Sequence, residues 1–355
     1  MRLSFSFLLL VSVATAASGQ TPTAVQGYSV SVFAKSVKGK YTKPDSIAVV
    51  KHHIFIAYGD GNNPAGTDGK SNQIVEYDMS GNPLFMYTVK GHNDGLKVDP
   101  YTGRIWAMQN EDSNPNLVII EPSTHSQKLY TFAAPPPQGG GYDDITFYNG
   151  RPYLSASNPA NNPNAFPAIV KADLVGDTVV VSPVLEGNAT ATDVVTGLPV
   201  TLNLQDPDSM TLTPSNDILL DSQGDSELVL LHGAGTGHQS VSVIPLSSPF
   251  GTPQADDTAF VTSDDGFILV SDTPADTVYM IRKNRFVPGT AFTGAVGAPD
   301  ANGATVGFVG VLDMNFGDIR PVVTGLTSPH GMAFVPTHED EDRGEHCSAA
   351  ASPLN

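Results

Sequence analysis

Short apolar stretches recur along the chain, each closed off by Gly, Pro, Asn, Asp or Ser, and none grows into a sustained 3.6-residue period. Runs of this kind predict short strands joined by tight turns and almost no helix. Two stretches show the grouping best. The first predicts strands at Ile47–Val50, Ile54–Tyr58, Gln73–Tyr77 and Leu84–Val89. The second predicts Gly95–Val98, Arg104–Met108, Leu117–Ile120 and Lys128–Phe132, with turns at Pro100-Tyr101-Thr102-Gly103 and Glu121-Pro122-Ser123. Each group is four strands long, and each is introduced by an acid and a small residue.

That introduction repeats. Aligned two residues before the apolar position, Asp45, Asp94, Asp143, Asp208, Asp257 and His330 fall at intervals of 49, 49, 65, 49 and 73. Three equal spacings and two longer ones indicate a unit near 49 residues carrying two insertions. Four antiparallel strands per unit of that length predict an all-β propeller of four-stranded blades. Six blades are favoured, with five or seven possible. Tyr28–Phe33 is placed as an outer strand of a closing blade that draws on both chain ends. Residues 188–205 and 284–305 are expected to be loop insertions.

Composition agrees with many turns: 34 Gly and 28 Pro among 355 residues, with only 15% charged residues. Acids outnumber bases 36 to 18, which argues against a nucleic-acid partner, because phosphate binding needs clustered Lys and Arg. The single cysteine, Cys347, excludes an intrachain disulfide and any multi-cysteine metal site.

Residues 1–20 have a basic start, an apolar run from Leu3 to Val13 and small residues after it, the pattern of a secretory signal peptide. The run is too short for about 30 Å of hydrocarbon, so no membrane insertion is expected. These features divide the chain into a signal peptide (1–20), a propeller domain (27–336) and an acidic, disordered tail (337–355). The mature protein is expected to be a monomer in the periplasm or outside a bacterial cell.

Antiparallel order puts the start of the innermost strand and the end of the next on one face. The motif acids and the loops around Asp60, Glu111, Asp112, Asn158, Asp221, Asp225, Asp272 and Asp276 are therefore expected at one mouth of a central channel. Crowded carboxylates need protons, backbone amides or a cation. A divalent cation, calcium above all, is the economical partner, because it takes six to eight oxygen ligands. The candidate ligands are Asp45, Asn93, Asp94, Asp143, Asp208 and Asp257. The alternative is that these acids only cap turns. The loop from Asp60 to Ser71 is a further calcium candidate. His92 and His330 adjoin innermost strands and are placed near the mouth, where each would either move a proton or bond a neighbouring carboxylate.

At these residues the chain resembles the six-bladed propellers of the gluconolactonase/regucalcin group and the related NHL-repeat proteins. The resemblance is carried by His92-Asn93-Asp94-Gly95-Leu96-Lys97-Val98-Asp99-Pro100 with Gly103-Arg104-Ile105-Trp106-Ala107, by Asp206-Pro207-Asp208-Ser209-Met210 and by Ser328-Pro329-His330-Gly331-Met332-Ala333-Phe334. It implies a divalent ion at the channel mouth, with Asp94 and Asp208 at the family's Asp-type position. The family's Glu-Gly-Pro motif in the first blade is absent, and His330 stands where the family has Asn. Streptogramin lyases, another propeller group, use a channel His with Mg²⁺, and Pro329-His330-Gly331 is similar to that arrangement. The expected role is a binding module that takes a small molecule, polymer or protein at the mouth. A metal-dependent hydrolase or lyase using His330, Asp94 and Asp208, and a structural scaffold, are the alternatives.

Overall fold

The computed structural model describes residues 21–337; the segment expected to be a signal peptide (1–20) and the tail from residue 338 on, Cys347 included, lie outside them. Among the described residues there is no helix, and the chain forms 27 strands. Their pairing resolves into six four-stranded antiparallel units.

Unit 1 runs outward as Pro44–Val50, His53–Tyr58, Ser71–Tyr77 and Pro83–Lys90. Unit 2 is Asn93–Val98, Ile105–Gln109, Asn116–Glu121 and Ser126–Phe132, so both predicted groups are present with slightly longer strands. Unit 3 is Ile145–Tyr148, Arg151–Ser155, Pro167–Val175 and Thr178–Glu186, joined to unit 2 by a parallel pairing of their outermost strands. Unit 4 is Pro207–Leu212, Ile218–Ser222, Glu227–His232 and Ser240–Pro245. The insertion 188–205 is no plain loop. It contributes a hairpin, Thr190–Asp193 and Pro199–Thr201, that extends the sheet of unit 4.

Units 5 and 6 interleave. After the innermost strand of unit 5, Gln254–Phe260, the chain leaves to make Gly266–Asp272 and Thr277–Lys283 of unit 6. It then returns for Ala291–Val296, Gly307–Leu312 and Ile319–Leu326 of unit 5, and ends with Pro329–Pro336 as the innermost strand of unit 6. The N-terminal strands join both units: Thr23–Ala24 adds a fifth, outer strand to unit 5, and Tyr28–Lys35 supplies the fourth strand of unit 6. The expected insertion 284–305 therefore carries a structural strand, and Asp272 and Asp276 belong with His330 rather than with Asp257.

The six innermost strands lie side by side in sequence order, and the sixth returns to the first, closing the ring. The apolar core follows this ring as six packets, one at each junction between neighbours. Strand parity assigns the side chains. In His53–Tyr58, Ile54, Ile56 and Tyr58 pack towards unit 6, while Phe55 and Ala57 pack towards unit 2. Both faces are buried, which is why the sequence shows unbroken apolar runs instead of alternation.

Close approach of the innermost strands explains the small residue in the motif. A Cβ on Gly331 would lie 2.5 Å from the carbonyl oxygen of Asp45 and 2.6 Å from Ser46 Cα. Gly331→Ala should push units 6 and 1 apart and cost about 1–3 kcal/mol, measured by denaturant unfolding. A neutral result would show that the junction is loose.

Candidate functional site: an acidic channel mouth

The innermost strands of units 1, 2, 4, 5 and 6 share one irregularity. Pro44 to Ile47, Asn93 to Leu96, Pro207 to Met210, Ala255 to Thr258 and Pro329 to Met332 each carry an extra residue against the neighbouring strand. A bulge of this kind re-aims side chains. The residues at equivalent places in it are Asp45, Asp94, Asp208, Asp256 and His330; in unit 3, Asp143 takes the same place before Ile145. Five carboxylates and one imidazole thus occupy one level of the ring. The pairing register corrects the sequence alignment at unit 5, where Asp256 stands at the motif level and Asp257 one step deeper. The alignment slipped because Thr258 fills the place where the other units have Ile, Leu or Met.

Asp94, Asp143, Asp208, Asp256 and His330 line a cavity of about 170 Å³, together with Glu111, Asp112, Asp206, Ser157, Asn158 and Gln223. Ligand atoms of Asp94, Asp143 and Asp208 all lie within 4.8 Å of one another. Asp143 is only 6% exposed, yet its Oδ1 has no hydrogen-bond partner. Burial first, then neighbouring carboxylates, Asp94 among them, hold Asp45, Asp143 and Glu111 well above the usual carboxylate range. Asp208 is raised by burial and next by Asp256. Without compensation, these groups keep protons at pH values where a free aspartate has lost them.

His330 sits on the rim of this charge. Its Nδ1 is 3.1 Å from Asp256 Oδ2 and 3.9 Å from Asp45 Oδ1, and its Nε2 is 3.3 Å from Ser328 Oγ. Burial alone would lower its pKa, but Asp256 and Asp45 override that and push it up to about 10. These carboxylates favour the imidazolium, the form that can give a proton and cannot take one.

Two of the sequence candidates stand elsewhere. Asn93 is fully buried and donates to the carbonyl of Met108 at 2.6 Å, which places it in the body of unit 2 rather than on the cavity wall. Asp257 accepts from the Met332 amide at 2.7 Å, stitching unit 5 to unit 6. Asp144 does the same between units 3 and 4, accepting from Met210 at 2.9 Å. Both acids face Lys97, whose Nζ is 2.8 Å from Asp144 Oδ2. Burial opposes the charge on Lys97, but Asp144 and Asp257 hold its pKa well above the ordinary lysine value. Asp257 itself is pushed by burial to about 7 against the pull of Lys97. A second cavity of about 250 Å³ is lined by Lys97 and Asp257 with apolar residues such as Val49, Phe260 and Phe334.

The loop acids divide between the two roles foreseen for them. Glu111, Asp112 and Asn158 line the first cavity. Asp60 accepts from the Thr42 amide, Asp225 from Gln205, Asp272 from Thr327 and Ser328, and Asp276 from Lys43, each capping a loop of the rim. In the loop from Asp60 to Ser71, Asp68 accepts from the Asn63 and Lys70 amides, and Asn63 Oδ1 accepts from Ala65. That loop is held by its own turns. Sequence reasoning passed over Lys97 and Asp144 as partners and did not rank Asp206 or Asp256; the paired acids at 143–144 and 256–257 were the available signal.

No protein-family model matches the chain, and no curated protein matches it. Several solved structures do. A protein of unknown function from Bacteroides caccae is 9% identical over 84% of this chain and 88% of that one, with a TM-score of 0.48. A protein provisionally named a gluconolactonase is 10% identical over 86% and 83%, at 0.45. Virginiamycin B lyase from Staphylococcus aureus is 9% identical over 84% and 98%, at 0.43. Likeness at this level carries no argument about activity. The propeller rests on the strand pairing and ring closure described above.

Proposed function

We propose that the protein is an exported propeller that binds a divalent cation, calcium first, at the acidic mouth, and through it a small oxygen-rich ligand. The observation that carries this reading is the trio Asp94, Asp143 and Asp208, with ligand atoms within 4.8 Å of one another and a buried, unpartnered Oδ1 on Asp143. Three carboxylates suit a hard cation and leave coordination places for water or a ligand. The cavity of about 170 Å³ has room for a small polar group. Extracellular calcium modules work at Kd values of about 10⁻⁴–10⁻³ M, so an exported protein would not need a tighter site.

Isothermal titration of the chelator-stripped protein with CaCl₂ tests the reading. Binding in that range is expected, with Asp143→Asn and Asp208→Asn each weakening it at least about tenfold, as loss of one charged ligand costs upwards of 1.4 kcal/mol. Asp78→Asn, in an exposed turn, should leave it unchanged. No binding up to 10 mM would defeat the proposal.

A second reading, a metal-dependent hydrolase or lyase, is favoured by His330. A bound cation would polarise a carbonyl or phosphoryl oxygen. His330, 3.1 Å from Asp256, would supply the proton to a leaving oxygen in this reading. Its charge does not suit the role of base. A screen of lactones and esters with and without chelator tests this reading. Turnover that chelator abolishes and His330→Gln lowers would support it, and chelator-independent turnover would refute it.

A further inference from the structure

The mouth contains a second group of ligands that the first leaves unused. His92, Asp94 and Glu111 also bring one ligand atom each within 4.8 Å of one another, and Asp94 belongs to both trios. His92 Nε2 and Glu111 Oε2 are 3.6 Å apart. That is too long for a hydrogen bond. It is close to the edge of about 3.4 Å that two ligands make on one tetrahedral ion at ordinary Zn–N and Zn–O lengths. Glu111 Oε2 and His92 Nδ1 are both buried without a hydrogen-bond partner. The imidazole is held in place from behind, since a Cβ on Gly59 would sit 2.6 Å from His92 Cε1, and the His92 amide donates to Asn110 Oδ1 at 3.0 Å.

We propose that the mouth is a two-metal centre bridged by the Asp94 carboxylate, with Asp143 and Asp208 holding one ion and His92 and Glu111 the other. The inference rests on the cation-binding reading and extends it. Charge supports two ions over one: seven carboxylates line the cavity, and His330 is the only cationic side chain among the lining residues. One divalent ion leaves most of that charge uncompensated. The donor sets also differ in kind. Three carboxylates suit a hard ion, whereas an imidazole with carboxylates suits Zn²⁺ or Mn²⁺. Two ions sharing one carboxylate would be able to clamp two oxygens of one ligand together. The ligand class this adds is a bidentate oxyanion such as a carboxylate or phosphate.

Mn²⁺ serves both positions and is visible by electron paramagnetic resonance. The stripped full chain, equilibrated with excess MnCl₂ and read against the free Mn²⁺ signal, is expected to bind two ions per chain with an exchange-coupled spectrum. His92→Ala and, independently, Glu111→Gln should each keep one ion and lose the coupling, and Glu111→Gln, which removes a buried carboxylate, should melt no lower than the wild type in chelator. Asp94→Asn should weaken both positions. A wild-type stoichiometry of one, unchanged by His92→Ala and Glu111→Gln, would overturn the second position and leave the calcium reading standing. Two ions without coupling would overturn the bridge. No bound ion, together with no calcium binding, would overturn both readings.

Discussion

Stripped of divalent cations, the protein is expected to lose stability steadily as the pH rises from about 4 to 8, and excess calcium should flatten that loss. The sign follows from the direction of the shifts. Asp45, Asp143, Asp208 and Glu111 are raised in the folded state by burial and by one another. A folded-state pKa above the unfolded one contributes stability that is full below the unfolded value and is lost as the pH climbs through the folded value. Asp257, raised to about 7, and His330, raised to about 10, act in the same direction. A cation reverses the balance by favouring the ionised carboxylates. At a hundredfold excess over Kd it adds about 2.7 kcal/mol. For a domain of this size that is a rise of roughly 5 °C in melting temperature. Calorimetric scans at pH 5, 7 and 8, in chelator and in calcium, give the answer. Superimposed curves at every pH would mean that turn capping alone accounts for the acids.

The largest effect of a single substitution is expected at Lys97. Lys97→Met leaves Asp144, 2% exposed, and Asp257, 5% exposed, facing each other without their cation. Removing one partner of a buried ion pair costs about 3–5 kcal/mol, and with the Lys97 side chain 24% exposed the lower end is expected. The two acids also hold the amides of Met210 and Met332, so two junctions of the ring should loosen together. The loss should shrink at pH 4, where the orphaned acids take up protons. Lys43→Met is the comparison: its pair with Asp276 spans 3.8 Å with both side chains 40% exposed, and its removal should cost under about 1 kcal/mol. A loss below 1 kcal/mol for Lys97→Met in urea unfolding would show that the acids are neutral in the native channel and do not depend on the lysine.

Much of the ring was legible because turns punctuate it. Pro100 and Gly103 mark one hairpin of unit 2, and the motif acids mark where innermost strands begin. The level of Asp256 was not legible, because two adjacent acids and a threonine at the apolar position let the alignment slip by one. Nor could the sequence separate Asp225, which caps a loop, from Asp112, which lines the cavity. Both follow a strand, and only the neighbouring amides decide which way the carboxylate turns. The interleaving of units 5 and 6 was invisible for a different reason. Gly266–Asp272 has the pattern of any second strand, and nothing local tells it to pair with Pro329–Pro336 instead of Gln254–Phe260. The partner is fixed by the packets at the junctions, which are properties of the closed ring.

That interleaving sets an order of assembly. During synthesis, units 1 to 4 can each close as their own strands emerge, since every pairing inside them is made from consecutive segments. Units 5 and 6 cannot. Gln254–Phe260 must wait for Ala291–Val296, while the hairpin Gly266–Lys283 stands with one side open until Pro329–Pro336 arrives. The earliest strands, Thr23–Ala24 and Tyr28–Lys35, are held back longest, because their partners Ile319–Leu326 and Thr277–Lys283 are among the last made. A nascent chain stalled before residue 291 would therefore expose sheet edges in both units at once, where a chaperone or a second copy can add a strand.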